Sequence, residues 1–127
     1  MEEKRKNKKP DKIKSFRELK IWKVAMGLVK KIYQRTKSFP KEELYGLTSQ
    51  MRRSAVSIPS NVAEGFRRQH NNEFKQFLYI TLGSCAELET QIVIAKELNY
   101  INTTQESDFL ESLDHICRMT SNLVKKL

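Results

Sequence analysis

Apolar residues recur at three- and four-residue intervals along nearly all of this 127-residue chain after Ser15. That is the period of an α-helix with one buried stripe. The pattern constrains the fold more than anything else in the sequence. Four glycines and three prolines reinforce it, because an all-β sandwich or barrel needs a turn every 8–12 residues or so. The expected fold is all-α: an antiparallel up-down-up-down four-helix bundle. Its helices are placed over 16–38, 41–68, 72–98 and 104–127. Residues 1–14 carry seven Lys/Arg and almost no apolar side chains. They read as a flexible basic tail ahead of a single domain over 15–127.

Ser15-Phe16-Arg17-Glu18 fits a capping box at the start of the first helix. Leu19, Trp22, Ala25, Met26, Val29, Ile32 and Tyr33 follow at helical spacing, and Ile21 and Leu28 widen the stripe on one flank. A stripe that wide exceeds one bundle seam and predicts contact with another subunit. In the second helix the stripe of Leu44, Leu47, Met51, Ala55, Ile58, Val62 and Phe66 keeps its phase through Pro59. One helix kinked at Pro59 is therefore expected, not two helices joined by a loop. Ser54, Ser57, Asn61 and Gly65 lie beside the stripe and predict close approach of a neighbouring helix. The third helix has its main seam on Phe74, Phe77, Leu78, Thr81, Cys85, Leu88, Ile92 and Ala95. Ile80 and Ile94 lie off that seam, which again predicts oligomerisation. Thr103-Thr104-Gln105-Glu106 reads as a second capping box, opening the last helix.

Enzymatic constellations are missing. A di-iron bundle needs Glu-x-x-His on two helices, whereas Glu111 and His115 are four apart. A helical-bundle ribonuclease of the HEPN type needs an Arg followed by four to six residues and a His. His70 follows Arg67 and Arg68 too closely, and His115 has no upstream Arg in range. Cys85 and Cys117 both fall on apolar stripes and read as small core residues. No phosphate-binding glycine loop is present. No catalytic residue, metal or cofactor is expected. No stretch approaches 18 apolar residues, and neither cysteine lies in a Cys-x-x-Cys motif. A cytoplasmic protein without a membrane partner follows.

Charge is the remaining signal. The formal net charge is +9, with +4 in residues 1–14, +8 in 15–68 and −3 in 69–127. Lys20, Lys23, Lys30, Lys31, Arg35, Arg52, Arg53, Arg67 and Arg68 are candidates for phosphate contacts with RNA or DNA. The same asymmetry fits a protein scaffold whose basic face pairs with an acidic face of a neighbouring subunit, or another protein partner.

The run Gly46-Leu-Thr-Ser-Gln-Met-Arg-Arg-Ser-Ala-Val-Ser-Ile-Pro-Ser-Asn-Val-Ala-Glu-Gly65 resembles the signature of the four-helix-bundle family of 23S ribosomal RNA intervening-sequence proteins, also labelled S23-type ribosomal proteins. Phe16-Arg-Glu-Leu-Lys-Ile-Trp22, Phe74–Phe77 and Gly83-Ser-Cys-Ala-Glu-Leu-Glu-Thr-Gln-Ile92 are similar too. The resemblance is close over 16–101 and looser in the last helix. It implies a bacterial protein, a homopentamer of up-down bundles, and no catalytic residues. It also implies kinship with the pentameric accessory variability protein of diversity-generating retroelements, which binds nucleic acid and a reverse transcriptase. Ser57, Pro59, Asn61, Glu64 and Gly65 inherit from it a structural or assembly role.

Overall fold

The structure, a computed structural model, describes residues 13–127. The tail expected over 1–14 thus lies largely outside the described residues. Four helices carry the fold: α1 (Lys20–Thr36), α2 (Leu47–Arg67), α3 (Asn71–Glu97) and α4 (Thr103–Lys126). There is no strand among the described residues. Each helix packs on the next, and α1 also meets α4, so the four enclose one core.

Two boundaries differ from the sequence expectation. The Ser15 capping box forms: Ser15 Oγ accepts from the Arg17 N–H, and the Glu18 carboxylate accepts from the Ser15 N–H. It closes a 3-10 turn over Phe16–Glu18, not the first turn of an α-helix. Leu19 then turns extended to bury its side chain, and α1 starts at Lys20. Ile13, counted with the tail by sequence, packs on the cluster around Leu19.

Before α2, a 3-10 turn spans Lys41–Glu43, and the α-helix starts only at Leu47. Glu43 supplies the missing cap, since its Oε1 accepts from the Leu47 N–H at 3.1 Å. A carboxylate there also meets the positive end of the helix dipole. Leu44, placed in the apolar stripe by periodicity, is largely exposed. α2 then continues unbroken through the buried Pro59.

α3 ends in a Schellman motif. The Tyr100 N–H donates to the Ala95 carbonyl and the Asn99 N–H to the Lys96 carbonyl, with Asn99 in the left-handed region at φ 63°. The capping box of α4 lies one residue earlier than expected. Asn102, not Thr103, is the cap, paired reciprocally with Gln105 at 2.8 Å in both directions. An Asn side chain is at least as good an acceptor here as Thr.

The core falls into two clusters. The larger joins Leu28, Ile32, Met51, Ile58, Leu88, Ile92, Leu113 and Ile116 with the residues around them. The smaller joins Leu19, Ile21, Val62, Phe66, Phe74 and Leu78, with Met119 and Leu123 of α4 and the adjoining Leu127 closing it. Phe66 and Phe74 meet edge-on at 6.1 Å between ring centres, a favoured aromatic geometry.

Between α2 and α3 the approach is close. Ser57 Oγ and Ser84 Oγ are 2.7 Å apart, and the Asn61 side chain donates to both the Ser57 carbonyl and the Ser57 hydroxyl. The carbonyl that Asn61 reaches is that of Ser57, not the Ala55 carbonyl facing Pro59. α3 is also the one helix among the described residues long and apolar enough to cross a bilayer, although it holds no unbroken apolar run of that length. A core helix has the same composition, and Phe74, Leu78, Thr81, Cys85, Leu88, Ile92 and Ala95 of α3 are all buried.

Candidate nucleic-acid interface

The cations named from sequence separate into two groups. Lys20, Lys23, Lys30, Lys31 and Arg35 all lie on α1 and are all exposed. Helical spacing brings them together: α1 buries Ile21, Ala25, Leu28, Ile32 and Thr36 on its opposite side. No ion pair within 4.0 Å holds any of the five among the described residues. Their charge is therefore open to a ligand. Lys31 and Arg35 also border a cleft of about 340 Å³ between α1 and α4, lined by Gln34, Gln105, Asp108 and Phe109. Lys31 continues into a neighbouring hollow with Glu111, Ser112, His115 and Arg118. The basic face thus has an acidic margin along α4.

The arginines of α2, with Arg68 just after it, are mostly engaged within the chain. Arg52 Nε donates to Thr36 Oγ1 at 2.9 Å, and its guanidinium lies 4.7 Å from the centre of the Tyr33 ring. The Thr36 hydroxyl in turn donates to the Ile32 carbonyl at 2.7 Å. Arg52 therefore ties α2 to the end of α1. Arg67 stacks over Phe16 at 5.4 Å. Arg68 pairs with Glu64 at 3.0 Å and Glu73 at 3.7 Å, and covers Phe77. Arg53 and Arg67 are both exposed with no ion pair among the described residues, and Arg67 differs only in its contact with the Phe16 ring.

A family model described as 23S rRNA-intervening sequence protein matches residues 17–122. The chain belongs to that family. No curated protein matches it. The matched span runs from the 3-10 turn before α1 to the last turns of α4. It therefore takes in α1, α2, α3 and most of α4, where the sequence resemblance is looser.

Of the residues singled out for assembly, this intervening-sequence family member uses some internally. Ile21 and Leu28 are 4% and 2% exposed. The wide stripe of α1 is satisfied by its own bundle at those positions, so neither reaches another subunit. The reason is the ring of helices: α1 has neighbours on two sides, α2 and α4, and fills both with one broad stripe. Ile80 and Ile94 differ, being 51% and 42% exposed on α3 beside Tyr79 and Val93. Trp22, Met26, Val29, Val56 and Pro59 line a shallow apolar groove between α1 and α2.

Sequence spacing missed one pairing. Cys85 and Cys117, assigned separately to two stripes, meet in one core cluster between α3 and α4. The neighbouring Cys117 thiol and burial push the Cys85 thiol well above its ordinary range. Both cysteines are free. No group of three or more His, Cys, Asp or Glu side chains suits a metal among the described residues.

Proposed function

We propose that this protein is a non-enzymatic, homo-oligomeric bundle that binds RNA or DNA through phosphate contacts on the α1 face. The observation that carries the proposal is the set of exposed α1 cations without ion-pair partners, in contrast to the engaged Arg52, Arg67 and Arg68. Affinity of this kind is largely independent of sequence and falls steeply with salt. The bundle is read as up-down-up-down. The starts of α1 and α3 and the ends of α2 and α4 contribute to one core cluster, which supports that order. A bend at Pro59 belongs to the same reading, because Pro removes a backbone donor inside α2. Self-association rests on the exposed Ile80 and Ile94, and five as the subunit number rests on the family resemblance. A cytoplasmic site goes with this reading.

Mobility-shift titrations with duplex RNA and duplex DNA at two salt concentrations test it. Binding that weakens steeply as salt rises is the expected result. Failure to shift either nucleic acid at low salt sinks the proposal.

A second reading has its own observation. Asp108 and Glu111 of α4 border Lys31, so acidic and basic faces adjoin on one surface. Two copies offset along that margin would pair charge with charge, as a protein scaffold would.

A further inference from the structure

Gly27 occupies the middle of α1 and is exposed. A glycine inside a helix is destabilising relative to alanine, so its presence calls for a reason. Gly65 has one inside the chain, because a side-chain carbon there would run into Phe77 and Phe74. Gly27 has none: nothing lies within 4 Å of where its Cβ would stand. Gly83 is equally open, but its neighbours on α3 are Tyr79, Ile80 and Glu87, not cations.

The surroundings of Gly27 are specific. At 3.6 residues per turn, Lys20, Lys23, Lys30, Lys31 and Gln34 all fall within about 60° of it around the helix, as does the half-buried Val24. Side chains on a helix lean toward its N-terminus. Lys30 and Lys31 stand one turn later on the same side, with no side-chain atom of either within 4 Å of where a Gly27 Cβ would stand. The result is a gap in the side-chain cover of α1, open to a ligand, with exposed lysines one turn to either side. Asp108 approaches only the Lys31 side, across the α1–α4 cleft.

Resting on the nucleic-acid reading above, we infer that Gly27 is where a phosphodiester of the bound strand seats against α1, held by Lys30 and Lys31. The missing methyl lets a phosphate come nearer the helix axis than a side chain would permit. Both ammonium groups then reach the same phosphate. Gly27 makes no charged contact itself; it positions the strand for those that do.

The test is fluorescence anisotropy with short labelled RNA and DNA duplexes at low and physiological salt. It compares the wild-type chain, Gly27→Ala, Lys30→Ala/Lys31→Ala and the triple variant, with a thermal melt of each. Gly27→Ala is expected to melt about 3 °C higher, through better helix propensity. It should also bind on the order of tenfold more weakly, the worth of about one charge-assisted contact. The lysine pair should lower the salt slope by about two. Adding Gly27→Ala to that pair should cost little more, because the three act as one site.

Wild-type binding with an unchanged Gly27→Ala affinity overturns the inference and leaves the nucleic-acid reading standing. So does a Gly27→Ala loss equally large with and without the lysines. A lower melting temperature for Gly27→Ala would reveal an internal role for the glycine and overturn it too. If the wild-type chain binds neither duplex, both proposals fall together.

Discussion

Gly65 of α2 stands against Phe77 of α3 with no room for a methyl group. A Cβ on Gly65 would lie 2.7 Å from the Phe77 Cβ and 2.9 Å from the Phe74 ring. One turn of α3 is thereby seated directly against the bare backbone of α2. Gly65→Ala should overpack this contact and lower stability by about 1–3 kcal/mol, outweighing the propensity gain of alanine in a helix. Denaturant unfolding measures it. A variant as stable as the wild type would mean that α2 and α3 separate easily there.

Tyr100 and Glu43 are joined across 57 residues of sequence. The Tyr100 hydroxyl donates to Glu43 Oε2 at 2.8 Å, while Oε1 of the same carboxylate caps α2 at Leu47. The hydrogen bond to Glu43 holds the Tyr100 pKa above its ordinary value. A phenol whose folded pKa is raised favours folding fully below its unfolded pKa, about 10. That contribution is lost as pH rises through the folded pKa. Alkaline titration of the melting temperature should show this loss in the wild type and less of it in Tyr100→Phe. Equal alkaline sensitivity in the two proteins would count against the bond's role. Glu43→Gln keeps one capping oxygen but removes the charge, and should resemble Tyr100→Phe above pH 10 or so.

The helices were legible because their periodicity is long and continuous, even through Pro59. Partners across the bundle were not. Spacing puts Cys85 and Cys117 on buried faces but cannot say that those faces oppose each other. Likewise Glu43 looks, in sequence, like a first-turn acid of a longer helix, and only the fold brings Tyr100 to it. Ser57 and Gly65 were readable as a close-approach surface, because small residues at helical spacing have few other uses. Ser84 as the partner of Ser57 was not. The basic face was legible residue by residue. Its division into free lysines and engaged arginines needed Thr36, Tyr33, Phe16 and Glu73 to be placed around them.

Ile80 and Ile94 should matter for assembly and little for the fold. Both are substantially exposed, next to Tyr79 and Val93 on the outer side of α3. An exposed patch of this kind marks an interaction surface when it is contiguous. Ile80→Lys with Ile94→Lys should leave the helical circular dichroism signal unchanged and reduce the mass measured by light scattering to one subunit. Core positions provide the contrast. Ile92→Ala or Ile116→Ala, at sites with no exposure, should cost about 2–5 kcal/mol of stability. A wild-type protein that is already a stable monomer at micromolar concentration would contradict self-association outright.

Charge reversal on α1 separates the two readings of the basic face. Lys20, Lys23 and Lys31 are exposed and make no ion pair among the described residues. Replacing all three by Glu should therefore leave the melting temperature of the bundle nearly unchanged, because exposed charges contribute little to stability. If the face binds phosphates, the variant should lose nucleic-acid affinity by several orders of magnitude at low salt while its mass by light scattering stays that of the wild type. Long-range attraction of this kind acts over a Debye length, about 8–10 Å at physiological salt. If the face instead pairs with Asp108 and Glu111 of a neighbouring copy, the variant should dissociate, and the opposite reversal, Asp108→Lys with Glu111→Lys, should restore assembly when the two variants are mixed. Rescue by mixing is decisive for the scaffold, since a lost phosphate site gains nothing from a second protein of complementary charge.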